Sequence, residues 1–477
     1  MRAFCSLLPA VFLLLATAAP AEEVAGLPLH VQKLSPKTVR VWVGDHVSTT
    51  NVLAFATAKG IVVVDTTGIP KVDRELRRVI ARELGRSDFT TLINTHEHSD
   101  HTGGNSVYAD GTIVAHERCA AGMRSDPAQR ARLLEWRAAR IADLEKELAK
   151  LPAGAPEQRK KAEELVLARL NDEALKADEK PALPTKTFSD RMTLDMGDTL
   201  FELSYIGGMH SGSDIAIFVP SQGILMTGDT MADKWLNETP GCLASFIARE
   251  NVPHDFPLLL ENGKRLLAQK SRIRTLLPGH WNGELSLAGF EARLKYVETL
   301  WDGIRKDAGD GKGIAEVLAS YRLDTRFSEL AQSPGFNPRN NAMTISEIWK
   351  LVTNQRSAAA ELYALVDAGK DEGAIRRVLA ERDAKAPKYY FVEGEINGQG
   401  YRFMQEGKTA QAVTLFRLGT ELFPESWNVW DSLGEALLKS GDPAGAKRMY
   451  EKSVALNPGN KNGKEALERM LGEGAAK

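Results

Sequence analysis

The sequence predicts an α/β domain of two packed sheets with helices outside, carrying an inserted helical hairpin and followed by an all-α C-terminal region. Three observations carry this expectation. Short apolar strands punctuated by Gly and Pro alternate with helical spacing over about residues 38–115 and again over about 188–277. Between those stretches, residues 127–178 are charged and helical in period. Beyond residue 286 the pattern is helical almost throughout. Strands followed by helices, twice over, are the order of a two-sheet layered fold. The chain has 477 residues, 43% hydrophobic and 26% charged, an ordinary globular composition with room for about three domain-sized units. Its 61 basic and 63 acidic residues leave a net charge of -2, so no basic field recruits nucleic acid.

The elements follow in order. Arg2 opens a short positive stretch, Leu7 to Ala16 are apolar around Pro9, and Ala19-Pro20-Ala21 has the form of an A-x-A cleavage site. Residues 1–21 are therefore expected to be a signal peptide, with export to the periplasm or medium. The apolar run is shorter than the roughly 18 residues a spanning helix needs, and no later segment suits a membrane, so no transmembrane segment is expected in the mature chain. The three cysteines are too few for a disulfide framework or a four-cysteine zinc site. Cys5 goes with the leader, and Cys119 and Cys242 are left with their pairing open.

Strands are predicted at Val39–Val43, Val52–Ala56 and Ile61–Val64, the last two joined by a turn at Ala58-Lys59-Gly60. A helix follows from Pro70, with Val72, Leu76, Val79, Ile80 and Leu84 in helical spacing up to Gly85. Phe89–Thr95 and Thr112–Ala115 complete this half. In the hairpin, Pro152-Ala153-Gly154-Ala155-Pro156 separates two helices, and Arg159-Lys160-Lys161 reads as a solvated face. Strands return at Met192–Leu194, Leu200–Ile206, Asp214–Val219, Ile224–Met226 and Arg274–Leu277. The organisation expected is a catalytic domain over 22–290, a helical connecting region over 291–390 and a repeat region over 391–477.

In that last region Trp430, Leu433, Gly434, Leu437, Ala446, Tyr450 and Pro458 keep the spacing of a helix-pair repeat. Ile396, Gly400, Phe403, Ala412, Phe416 and Pro424 stand 34 residues earlier in the same register. The pattern is similar to tetratricopeptide repeats. Gln399, Ile396 and Leu437 depart from the preferred residue types. Stacked helix pairs of this kind present a surface to a protein or peptide partner, or only pack against the catalytic domain or build a dimer; the residues name no ligand.

The chemistry lies in His96-Glu97-His98-Ser99-Asp100-His101, directly after an apolar strand and before Thr102-Gly103-Gly104-Asn105. In an extended segment residues i and i+2 face one side, so His96 and His98 can grip one ion. Asp100 and His101 fall where the chain begins to turn, facing a neighbouring site. Three further candidates, His210, Asp229 and His280, each follow an apolar strand with Gly close before them. Glycines there allow close backbone approach at a strand end. Imidazole nitrogens with a carboxylate suit zinc, and iron or manganese suit the same donors.

THEHSDHTGGN, GMHSGSD, TGDT and PGHW occur in this order and resemble the metallo-β-lactamase-fold superfamily over about residues 38–285. The resemblance implies an αβ/βα sandwich with two metal ions along one edge. Carried over, it gives His96, His98 and His210 to the first ion, Asp100, His101 and His280 to the second, and Asp229 to both. It implies an exported zinc-dependent hydrolase in which a hydroxide shared by two zinc ions attacks a small-molecule substrate. Asp100 is the residue placed to take part in proton transfer. Asp229 stands where true metallo-β-lactamases have Cys or Ser. This implies an ester, thioester or lactone as substrate, with β-lactams secondary. The rival readings are a mononuclear-iron persulfide dioxygenase, a nuclease, which the export signal and near-neutral charge oppose, and a non-catalytic platform for the repeats. His30, His46, His116 and His254 are expected to be structural. Lys234, Trp235, Asn237 and Trp281 are expected to contact substrate because they follow the ligands in sequence.

Overall fold

The computed structural model describes residues 22–45, 49–124, 127–177, 179–231, 248, 252–280, 286–331 and 336–475. They fall into two compact units, those within 1–204, 215–228 and 277–284 and those within 205–214, 229–276 and 285–477. His46, Lys234, Trp235, Asn237, Cys242, Trp281 and the leader lie outside the described residues.

The first unit is built on two sheets. One has eight strands in sequence order: β1 (Glu23–Val24), β2 (Leu27–Ser35), β3 (Thr38–Val43), β4 (Val52–Thr57), β5 (Gly60–Val64), β6 (Phe89–Ile93), β7 (Thr112–His116) and β8 (Lys186–Phe188). Pairing is antiparallel through β5 and parallel from β5 to β8. The second sheet comprises β9 (Arg191–Asp195), β10 (Leu200–Tyr205), β11 (Ile215–Val219), β12 (Ile224–Met226) and β13 (Thr275–Leu277), ordered β13-β12-β11-β10-β9.

Side-chain alternation explains why β4 and β5 read as unbroken apolar runs. Leu53, Phe55, Val62 and Val64 join Phe201, Leu203, Ile215 and Ile217 in the core between the sheets. Their neighbours Val52, Ala54, Ile61 and Val63 face the other way, with Val72, Leu76 and Ile80 of helix α1 (Pro70–Leu84). Gly85 ends α1 in the left-handed region, at φ 67°, where glycine carries no Cβ penalty. The elements expected over 38–115 and 188–277 are all present. β2 went unread because its alternation, Leu27, Leu29 and Val31 against Pro28, His30 and Gln32, is short and breaks at Lys33 and Leu34, where the register shifts.

After the short helices α2 (Ser99–Thr102) and α3 (Cys119–Gly122), the insertion forms α4 (Pro127–Leu148) and α5 (Pro156–Ala177). Leu170 of α5 joins the α1 side of the sheet.

The second unit includes α6 (Phe256–Ala268), α7 (Leu287–Gly309), α8 (Ile314–Ser320), α9 (Leu323–Arg326), α10 (Pro338–Thr353), α11 (Ala358–Asp367) and α12 (Glu372–Ala380). Then come α13 (Glu393–Gln405), α14 (Thr409–Leu422), α15 (Trp427–Lys439), α16 (Pro443–Leu456) and α17 (Lys461–Ala475). Both ends of α13 and α15, and of α14 and α16, are offset by 34 residues. Ile396, Phe403, Ala412, Phe416, Leu433, Ala446 and Tyr450, the residues that carry the repeat pattern, share one core. No helix among the described residues is long and apolar enough to cross a membrane.

Candidate metal centre

Two parallel strands end side by side at the centre. β6 gives way to Asn94, Thr95 and His96, and β5 to Asp65. Asn94 N–H donates to Val114 at 3.0 Å and Ile215 N–H to Thr95 at 2.9 Å, which ties the turn to a strand of each sheet. His98 is still extended (φ -61°, ψ 145°) before α2 begins at Ser99. His96 Nε2 and His98 Nδ1 accordingly converge to 3.0 Å. The helical turn then re-aims the next pair. His101 Nε2 lies 3.1 Å from His280 Nε2, and Asp100 Oδ2 lies 3.1 Å from His280 Nε2 and 3.7 Å from His101 Nε2.

His280 is held by backbone rather than by its own element. Asn51 N–H donates to Gly279 at 2.7 Å, Gly279 N–H donates to Gly228 at 2.9 Å, and Asn51 Nδ2 donates to Pro278 at 3.0 Å. Gly228, at φ 50°, thus lies beside the backbone that leads into His280.

His210 follows Gly207 and Gly208, both at positive φ. Asp214 organises that loop: Oδ2 accepts from His210 N–H at 2.6 Å and Ser211 N–H at 2.9 Å, and Oδ1 accepts from the Ser211 hydroxyl at 2.6 Å. Ser211 is thereby a loop residue that braces Asp214. His210 Nε2 stands 3.4 Å from Asp229 Oδ2. Within the first unit the ligand atoms of His96 and His98 converge, as do those of Asp100, His101 and His280; within the second, His210 and Asp229 stand together.

These donors fit a small divalent cation. Bonds of about 2.0 to 2.1 Å in tetrahedral geometry place neighbouring ligand atoms roughly 3.3 Å apart. The separations of 3.0, 3.1, 3.1, 3.4 and 3.7 Å bracket that value. Burial adds to the argument, for His96, His101 and His280 are at most 1% exposed. Clustered imidazoles are costly to bury unless something binds them.

Sequence reasoning missed the residue behind the ligands. Asp65 Oδ2 accepts from His101 Nδ1 at 2.9 Å and from the Thr95 hydroxyl at 2.7 Å, while its Oδ1 accepts from Thr95 N–H at 2.7 Å. Thr95 Oγ1, its proton thus committed, accepts from His96 Nδ1 at 3.1 Å. One carboxylate so fixes two imidazoles with Nε2 turned to the centre, the usual support for metal-bound histidine. Asp65 adopts φ 59° to do this, a strained conformation for a non-glycine residue that three hydrogen bonds offset. Part of the signal was present: Asp65 directly follows the apolar run of β5, as Asp229 follows an apolar strand, but it lacks the Gly just before it that marked Asp229.

The remaining histidines among the described residues, His30, His116 and His254, have structural partners. His30 stacks on Trp42 with ring centroids 4.9 Å apart. His116 Nε2 donates to Ser189 at 2.9 Å, and burial lowers its pKa. His254 Nδ1 donates to Gly208 at 2.6 Å. Cys119 is buried.

An αβ sandwich with clustered histidines and aspartates at its strand ends defines a metal-binding enzyme class. Residues 46–280 match the family model of the metallo-beta-lactamase superfamily, and this region of the chain belongs to that superfamily. A curated relative, the 2,4-dinitroanisole O-demethylase subunit alpha of Nocardioides sp. (strain JS1661), is 26% identical over 271 residues. That match covers 56% of this chain, which spans 61% of the relative's length. Similar solved structures include a metallo-beta-lactamase from Pontibacter korlensis, 18% identical, with 56% of this chain and 99% of that one covered at a TM-score of 0.35. Another is the stereoselective inverting sec-alkylsulfatase from Pseudomonas sp., 14% identical, with 90% and 66% covered at a TM-score of 0.46.

Proposed function

We propose that the protein is an exported, dinuclear zinc hydrolase acting on an ester, thioester or lactone. The observation that carries the reading is the convergence of imidazole nitrogens and carboxylates at ligand-edge distances. His96, His98 and His210 would hold one ion and Asp100, His101 and His280 the other, with Asp229 shared. An ion so held would supply a water acidified toward neutral pH and a Lewis acid for the substrate oxygen.

The chain's own residues do the rest. Asp65 and Thr95 keep His96 and His101 in one tautomer and orientation. The Asp100 side chain is 46% exposed, whereas the histidines beside it are closed to solvent. Its carboxylate is thus the ligand placed to take a proton from the nucleophile and pass it to the leaving group. The relative's printed activity, demethylation at the oxygen of 2,4-dinitroanisole, is also cleavage of a C–O bond and suits the same machinery. Within this reading, residues 1–21 direct export, 22–290 catalyse, 291–390 connect, and 391–477 are tetratricopeptide-like repeats offering a surface to a protein or peptide.

Metal content per chain, measured on protein from its native compartment together with an ester, thioester, lactone and β-lactam screen, tests the reading. Two zinc ions with hydrolysis are expected. A single iron with oxygen-dependent sulfur chemistry overturns it, as does a protein that takes up no metal.

A further inference from the structure

A cavity of about 320 Å³ opens beside the candidate centre within the first unit. Its polar end includes Asp100 and Thr50; its apolar wall includes Val43, Ile69, Leu144 and Leu167. The inserted hairpin supplies Leu144 and Leu167 of that wall, one from each helix, and it also brings Arg137 and Arg140 into the lining.

The two arginines differ. Arg140 is paired with Glu164, and with Glu147 at 3.6 Å. Arg137 makes no hydrogen bond or ion pair with any described residue, and its Nε is closed to solvent without a partner. Asp172, whose charge acts on Arg137 through space, gives its Oδ2 to Lys176 at 2.7 Å, while its Oδ1 is buried without a hydrogen bond. Burial depresses the Arg137 pKa, with Asp172 and Asp100 acting the other way. A buried guanidinium N–H left unpaired costs free energy, and the planar donors of arginine match a carboxylate two-to-one. An apolar chamber with one such cation in its wall and a metal ligand at its end has the layout of a small-molecule site, in which few polar groups fix orientation.

From this layout we infer that the insertion forms the specificity wall of the active site, and that Arg137 binds a free carboxylate on the substrate. This rests on the hydrolase reading above. The substrate class is then an ester, thioester or lactone whose apolar body separates the scissile bond from a carboxylate that is not itself cleaved. Arg137 acts by positioning the substrate, and Arg140 braces α4 against α5.

The test compares 4-phenylbutyrate with its neutral analogue 4-phenylbutanol by calorimetry on the full chain, both metal-loaded and metal-stripped. The carboxylate should bind about tenfold more tightly in both forms, as a charge-assisted pair supplies. Arg137→Gln should abolish the preference, and Arg137→Lys should restore part of it. A preference that survives Arg137→Gln, or that appears only with metal bound, overturns the inference. Should the variant not fold, the stripped wild-type protein still decides, because without a preference there Arg137 is no carboxylate site. Metal content and hydrolysis of the same samples report separately on the parent reading, so the two can fail independently.

Discussion

The ends of β5 and β6 and the helices α13–α17 use burial in opposite ways. At the strand ends the buried groups are polar: Asp65, His96, His101 and His280 are at most 2% exposed. In the helices they are apolar or small, as with Phe403, Ala412, Phe416 and Ala446, each at most 1% exposed. Polar groups inside a protein cost free energy unless paired, so their clustering points to a bound partner and to chemistry. Buried alanine and phenylalanine follow from packing alone. A motif in the first region therefore speaks of reaction, and a motif in the second of architecture.

The largest expected effect would break the comparison at its polar side. Asp100→Ala or Asp229→Ala should lower hydrolysis by about a thousandfold or more, equivalent to about 4 kcal/mol of barrier, while the fold survives. Metal analysis and circular dichroism on the same sample check both halves. Unchanged turnover in either variant would remove the two-metal mechanism. Next comes Asp65→Asn, which keeps shape but removes the charge that His101 and Thr95 lean on. Loss of such an outer partner lowers metal affinity about 10- to 100-fold, readable by competition with a chelator. An unaltered affinity would mean that Asp65 serves the fold only.

Asp73 sharpens the contrast between a polar group buried for chemistry and one buried for structure. Burial pushes its carboxyl up to about 7, against hydrogen bonds from Thr67 that pull it down. The folded state thus keeps a proton that the unfolded chain has released from about pH 4 upward. The stability this contributes is full below that range and is lost as pH rises through about 7. The slope approaches roughly 1.4 kcal/mol per pH unit where one proton separates the states. Thermal unfolding from pH 4 to 8 should therefore show a decline that Asp73→Asn flattens. Parallel curves for the two proteins would put Asp73 at an ordinary carboxylate pKa.

How much of this was legible beforehand follows from the same contrast. Strand-end clusters with extreme local composition stand out in one sequence, and His96 to His101 did. Strands buried on both faces stand out as apolar runs, as β5 did. Asp65 was passed over because a lone Asp after a strand is common, and only the fold reveals that Thr95 and His101 return to it. Arg137 was equally silent: an arginine on a charged helix reads as solvated until α4 lies over the cavity. β2 escaped because its alternation is short and is interrupted at Lys33 and Leu34 by a register shift.

The smallest effects lie in the packed helices, where two glycines of α13 give a paired test. A Cβ at Gly400 would come within 3.0 Å of three atoms of the Phe416 ring, whereas one at Gly398 meets nothing within 4 Å. Both substitutions by Ala gain helix propensity, about 0.8 to 1.0 kcal/mol. Only Gly400→Ala also forces a closed core, since Phe416 is 1% exposed and cannot swing out. Overpacking costs about 1 to 3 kcal/mol, so it outweighs the propensity gain at Gly400 and is absent at Gly398. Gly400→Ala should thus lower the unfolding temperature of the helical region, and Gly398→Ala should raise it by a degree or more. Equal shifts at both sites would mean that Gly400 serves propensity alone and that the close approach of α13 to α14 plays no part in the repeat core.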